Sequence, residues 1–126
     1  MVLVTGATGI LGRVIALELL KQGKNVCATK RKSSNLEEVK DSYRFYTDQP
    51  DFYFDKIQWI DTDFESIESL QESLKGVDEV YHCAAKVSFN PKDDKELFKT
   101  NIEGTRNLLY AIDSTKVKKF LFVSSI

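Results

Sequence analysis

The stretch Thr5-Gly6-Ala7-Thr8-Gly9-Ile10-Leu11-Gly12 spaces its three glycines three residues apart, directly behind the apolar run Val2-Leu3-Val4. From Ile10 to Lys21 the residues Leu11, Val14, Ile15 and Leu19 recur at helical intervals. A buried strand, a glycine turn and an opening helix form the arrangement that cradles a phosphate. Gly6 permits a tight turn where an L-residue would need a strained φ. A glycine at position 9 lets the backbone approach a pyrophosphate, and one at position 12 lets helix and strand pack closely. The N–H groups and positive end of that helix then hold the anion. Gly6, Thr8, Gly9, Ile10, Leu11 and Gly12 are therefore candidate residues of a dinucleotide's phosphate site.

Outward from the turn, short apolar runs alternate with helical-period segments. Gly23 ends the first helix, and residues 25–29 read as a second strand. Helical sequence resumes near Asn35 with Leu36, Val39 and Tyr43. Residues 57–60 read as a third strand, 67–74 as a short helix closed by Gly76, and 80–84 as a fourth strand. A long helix follows at about 95–113, with Phe98, Ile102, Thr105, Leu109 and Ile112 on one side. Residues 120–123 form a fifth strand. The alternation predicts an α/β fold, a Rossmann-type doubly wound parallel sheet of order 3-2-1-4-5, as one domain over residues 1–126. Residues 43–54 are the irregular part, rich in aromatics and interrupted by Pro50. They read as a long connection whose rings pack on the sheet edge, with an adenine-side lid or a partner surface as the alternative.

Composition narrows the class. With 126 residues there is room for one domain, and 42 % hydrophobic with 29 % charged residues is an ordinary globular balance. A net charge of −1 gives no pull toward nucleic acid or an anionic membrane. No apolar stretch approaches the ~20 residues of a membrane span. Cys27 and Cys83 sit in apolar runs without metal-ligand spacing, so buried thiols in a reducing compartment are expected, and no metal site. The glycine turn begins at residue 5 and leaves no space for a signal peptide, so the expected location is cytoplasmic.

The T-G-x-x-G-x-x-G spacing resembles the short-chain dehydrogenase/reductase superfamily, in its extended branch of epimerases, dehydratases and dihydroflavonol-reductase-like enzymes. Further matches follow in the family's order along the whole chain. Asp63-Phe64 is similar to the Asp-hydrophobic pair that reads the adenine. His82-Cys83-Ala84-Ala85 falls where the family has a small-residue turn beside the cofactor's ribose and phosphate. Asn101-Ile102-Glu103-Gly104-Thr105 resembles the N-x-x-G-T helix signature, and Phe122-Val123-Ser124-Ser125 the strand ending in the catalytic serine. The resemblance implies cofactor contacts at Asp63, Phe64, Ala84, Ala85 and Asn101. Lys86 and Ser88 are candidates for the substrate or the nicotinamide ribose, with solvent-facing roles equally open.

The end of the second strand decides the dinucleotide. A carboxylate there binds the ribose 2′-hydroxyl and repels a 2′-phosphate, and an arginine does the reverse. Thr29-Lys30-Arg31-Lys32-Ser33 carries no acidic residue, and none appears before Glu37. Arg31 falls where dihydroflavonol-reductase-like members bind the phosphate, with Lys32 adding charge. The expectation is NADP rather than NAD, against a plain solvated basic loop.

For chemistry, the resemblance implies a serine holding the substrate oxygen beside a tyrosine activated by a lysine four residues on. The serine is Ser125, with Ser124 as the alternative. No Tyr-x-x-x-Lys exists among Tyr43, Tyr46, Tyr53, Tyr81 and Tyr110. His82, the one histidine, has no nucleophile near it in the sequence. A fifth strand apolar on both faces, with no covering helix after it, reads as truncation of a longer parent. The expected function is the cofactor-binding N-terminal part of an NADP-dependent oxidoreductase, epimerase or dehydratase. Its substrate is a nucleotide sugar or small carbonyl compound, and the full-length protein is a candidate homodimer. A non-catalytic NADP-binding redox-sensor module and a scaffold that binds nothing are the competing readings.

Overall fold

Alternating strand residues face opposite sides of a sheet, and the first two strands divide their side chains between two cores on that rule. Val2, Val4, Val26 and Ala28 enter one cluster with Ala16, Leu17, Leu20, Val39 and Tyr43. Leu3 and Cys27 enter the other with Leu70, Leu74, Val80, Leu108 and Ala111. The computed structural model describes residues 1–83, 94–113 and 115–123, and over 94–101 the backbone only. The strands are β1 (Val2–Thr5), β2 (Val26–Lys30), β3 (Gln58–Asp61), β4 (Glu79–His82) and β5 (Lys119–Phe122). The helices are α1 (Ile10–Lys21), α2 (Leu36–Ser42), α3 (Pro50–Phe54), α4 (Ile67–Ser73) and α5 (Asp94–Asp113).

All neighbouring strands pair in parallel in the order β3-β2-β1-β4-β5. The predicted doubly wound sheet is the one observed. Every residue of β1 is buried, as a strand covered on both faces requires. The register aligns Thr5 with His82, Lys30 with Asp61 and His82 with Phe122, which brings the carboxyl ends of the strands to one rim. Connections run one way from β1 to β2 and the other way to β4, so β1 and β4 flank the crevice where such sheets bind ligands.

Two sequence readings are corrected. Residues 43–54 are not irregular: a 3-10 turn at Tyr43–Phe45 leads to α3, and Pro50 begins that helix rather than interrupting it. Proline suits this first position, where its missing N–H has no partner to lose. Some of the rings pack as expected, with Tyr43 edge-on to Phe54 and Phe54 tilted against Trp59 of β3, whereas Phe45, Tyr46 and Phe52 are exposed. On α5 the buried residues are Leu108 and Ala111, whereas Ile102 is 41 % and Leu109 49 % exposed. Of the face read from spacing, Thr105 and Ile112 do turn inward, Ile102 and Leu109 do not, and the side chain of Phe98 lies outside the described residues.

Candidate dinucleotide-binding site

The turn after β1 is built on contacts between its own glycines. Gly6 has φ 70°, in the left-handed region, and its carbonyl accepts the Gly9 N–H at 3.0 Å. A Cβ at Gly12 would stand 2.1 Å from the Gly6 carbonyl oxygen and 2.6 Å from its carbon. Only a glycine lets α1 start this close to the turn. At Gly9 a Cβ would lie 3.2 Å from the same oxygen. Gly9 caps α1 without bringing a side-chain acceptor, and the first turn of α1 carries no acidic residue. Its amides and the positive helix end are thus left for an external anion. Ile10 is 76 % exposed and Leu11 also stands open at the rim, an apolar approach to that amide cluster.

The residue after the last glycine was not singled out by sequence reasoning. Arg13 is only 6 % exposed. Its guanidinium donates to the carbonyls of Thr8 and of Gly9, the latter at 3.2 Å, and forks onto Glu38 of α2 at 2.5 and 2.9 Å. Arg13 holds the Glu38 carboxyl below its ordinary range through these hydrogen bonds. The carboxylate lies twenty-five residues away in sequence, beyond the reach of any spacing argument.

At the ribose end, Lys30 pairs with Asp61 across β2 and β3. Arg31 and Lys32 are exposed, and among the described residues neither has an ion-pair partner. The Arg31 N–H donates to Ser34 Oγ and the Ser34 N–H to the Arg31 carbonyl, each at 3.0 Å, closing a turn. Asn35 then caps α2 by accepting the Glu38 N–H at 3.1 Å. Near the end of β2, Asp61 is committed to Lys30 and Glu38 to Arg13, while the exposed Glu37 in the first turn of α2 has no ion-pair partner among the described residues.

Past β3, Asp63 Oδ1 accepts the Glu65 N–H at 2.9 Å, and the Asp63 N–H donates to Ser69 Oγ at 2.9 Å. The Phe64 carbonyl accepts from Asn107 Nδ2 at 2.8 Å. The Phe64 ring lies over His82, with planes 17° apart and centroids 6.1 Å apart. A Cβ at Gly104 would meet that ring at 3.4 Å, an ordinary van der Waals contact, so α5 packs beside the ring without requiring a glycine there.

His82 ties the site together, a role that its isolation in the sequence concealed. It is 2 % exposed, with Nδ1 2.6 Å from Thr5 Oγ1 and Nε2 2.9 Å from Thr105 Oγ1. Thr5 Oγ1 also accepts the Cys83 N–H at 3.0 Å. His82 thus bridges the two threonine hydroxyls, one at each ring nitrogen, with one nitrogen donating and the other accepting in the neutral ring. Burial pushes the imidazole down from 6.5 to about 4, so it is neutral near pH 7. β1, β4 and α5 are thereby pinned at the rim. Cys27 and Cys83 are free and buried, and burial raises both thiols to about 11.

Ala84, Ala85, Lys86, Ser88, Ser124 and Ser125 lie outside the described residues, as does the side chain of Asn101. Among the described residues no group of three His, Cys, Asp or Glu is placed to hold a metal ion. Nor is any described helix long and apolar enough to cross a membrane.

Comparison with known proteins agrees with this geometry. The sequence model of the NAD dependent epimerase/dehydratase family matches residues 2–126. The chain belongs to that family. It is similar to sterol demethylase protein B of Methylococcus capsulatus, 32 % identical over 98 % of this chain and 34 % of that protein. It is 33 % identical to the bifunctional dihydroflavonol 4-reductase/flavanone 4-reductase of Malus domestica, over 98 % of this chain and 35 % of the enzyme. Among solved structures it resembles a UDP-glucose-4-epimerase from Stenotrophomonas maltophila that holds NAD and formylated UDP-arabinopyranose. That likeness has a TM-score of 0.78 at 25 % identity and covers 98 % of this chain and 36 % of the other. The chain thus spans about a third of the length of the relatives it matches. It is an NAD(P)-binding Rossmann-type domain of the short-chain dehydrogenase/reductase kind.

Proposed function

We propose that this domain binds NADP, in preference to NAD, as the cofactor-binding N-terminal part of a reductase, epimerase or dehydratase. The observation that carries the reading is the charge pattern past β2. Lys30 is neutralised by Asp61 and Arg13 by Glu38, while Arg31 and Lys32 keep exposed cations without partners among the described residues. A 2′-phosphate finds a planar fork there, and the residues directly past β2, Arg31 to Ser34, carry no carboxylate for a bare ribose diol.

The cradle fits the rest of the cofactor. The space a Cβ at Gly12 would fill, and the uncapped start of α1, suit a pyrophosphate on Gly6, Thr8, Gly9, Ile10, Leu11 and Gly12. Asp63 and Phe64 are assigned to the adenine side. Ala84, Ala85, Lys86 and Asn101 are assigned to the ribose and nicotinamide side by resemblance. The nicotinamide supplies a hydride acceptor or donor when bound. Within this chain the proposed catalytic residue is Ser125, whose hydroxyl would orient the substrate oxygen.

The relatives' printed activities favour a small carbonyl compound or a nucleotide sugar as substrate of the whole protein. Its proton-transferring Tyr and Lys are proposed to lie outside these 126 residues, which hold no Tyr-x-x-x-Lys. Free, buried thiols support a reducing compartment such as the cytoplasm. Outward Ile102, Leu109 and Tyr110 on α5 support a homodimer of the full-length protein. Calorimetric titration with NADPH and NADH tests the reading: tighter NADPH binding that Arg31→Ala abolishes supports it, and equal binding overturns it.

A further inference from the structure

The ion pair of Arg13 and Glu38 joins the two loops that the proposed cofactor would touch. Arg13 follows the phosphate turn directly and grips it from behind, at the carbonyls of Thr8 and Gly9. Glu38 lies three residues beyond Asn35, whose cap starts α2 directly after the Arg31–Ser34 turn. The Tyr43 hydroxyl, from the 3-10 turn behind α2, donates to the Arg13 carbonyl at 3.0 Å. Residue 13 is therefore held by the α2 region through both its side chain and its backbone.

A helix of seven residues has little stability of its own, so its place depends on what anchors it. Val39 supplies the apolar anchor at 1 % exposure. The polar anchor is the guanidinium fork, whose two parallel hydrogen bonds fix direction as well as distance. The Arg13 side chain is buried while that of Glu38 is 56 % exposed, and ion pairs open to water on one side add little stability by themselves. A linkage between two ligand-contacting loops accounts for the pair better.

We infer that Arg13 and Glu38 are positioning residues for dinucleotide preference, holding the Arg31–Ser34 turn at the distance from the phosphate turn that a 2′-phosphate requires. The inference rests on the NADP reading above. Glu38→Gln keeps the shape of the side chain and removes its charge. Arg13→Lys keeps the charge and removes the fork.

The test measures dissociation constants for NADPH and NADH on the full chain and on both variants, with thermal melts alongside. The expected result is a fall of about tenfold in the NADPH-over-NADH preference of Glu38→Gln, with NADH binding changed far less. Arg13→Lys should lower the same ratio and also weaken NADH, since it loosens the Thr8 and Gly9 carbonyls. A folded Glu38→Gln chain with a lower melting point and an unchanged ratio would overturn the inference while leaving the NADP reading standing. A wild-type chain that binds both dinucleotides equally would overturn that reading and the inference with it. If Glu38→Gln does not fold, the ratio in Arg13→Lys decides the matter by the same criterion.

Discussion

The Nδ1 atom of His82 lies 2.6 Å from the Thr5 hydroxyl, so the last residue of β4 is bonded to the last residue of β1, where the phosphate turn begins. On the other side of the ring, Thr105 takes the remaining nitrogen. Burial keeps the imidazole neutral near pH 7, since a protonated ring would place a charge in this core.

Stability should therefore fall on acidification with a share that belongs to His82. Its folded value of about 4 lies below the ordinary 6.5, so the unfolded chain binds the proton more readily between those pH values. The contribution is complete above pH 6.5 and is lost as pH falls toward 4, amounting to roughly 3 kcal/mol. Urea denaturation of wild type and His82→Gln at pH 7.5 and pH 5 separates this share from that of the carboxylates. The wild type should lose more on acidification, and a stability gap that stays constant between the two pH values would refute the assignment.

Thr105→Val should leave the Nε2 atom of His82 without its hydrogen-bond partner and cost about 1–3 kcal/mol, while Thr105→Ser keeps most of the stability. Denaturant midpoints of the two variants check this. Equal losses in both would point to lost packing rather than to the hydrogen bond.

Two helical glycines should respond oppositely to alanine. At Gly12 the new methyl would meet the Gly6 carbonyl at 2.1 Å, so α1 must shift, at about 1–3 kcal/mol, and dinucleotide binding should be lost with it. At Gly104 the methyl would meet only the Phe64 ring at 3.4 Å. There the gain in helix propensity, about 0.5–1 kcal/mol, should make the variant as stable as the wild type or more so. Melting curves and NADPH titrations of both variants give the comparison.

Much of this fold was legible because its signals are local. Glycines at positions 6, 9 and 12 between an apolar run and a helical period admit few structures, and strand order followed from the βαβ alternation. What was not legible depends on partners distant in sequence. Arg13 reads as one more polar residue until α2 brings Glu38 to it. His82 has no nearby partner along the chain and two partners in space. The face of α5 was read only in part: Thr105 and Ile112 turn inward as read, but apolar spacing also favoured Ile102 and Leu109, whereas Leu108 and Ala111 are the residues buried against the sheet. Pro50 was taken as an interruption because the same residue both breaks and begins helices.

The central claim is tested most directly by calorimetric titration of the chain and of its Arg31→Ala variant with NADPH and NADH. The wild type should bind NADPH at least about tenfold more tightly than NADH, and the variant should lose that preference while keeping its NADH affinity. NADH bound as tightly as NADPH by the wild type, or a preference untouched in Arg31→Ala, would contradict the account.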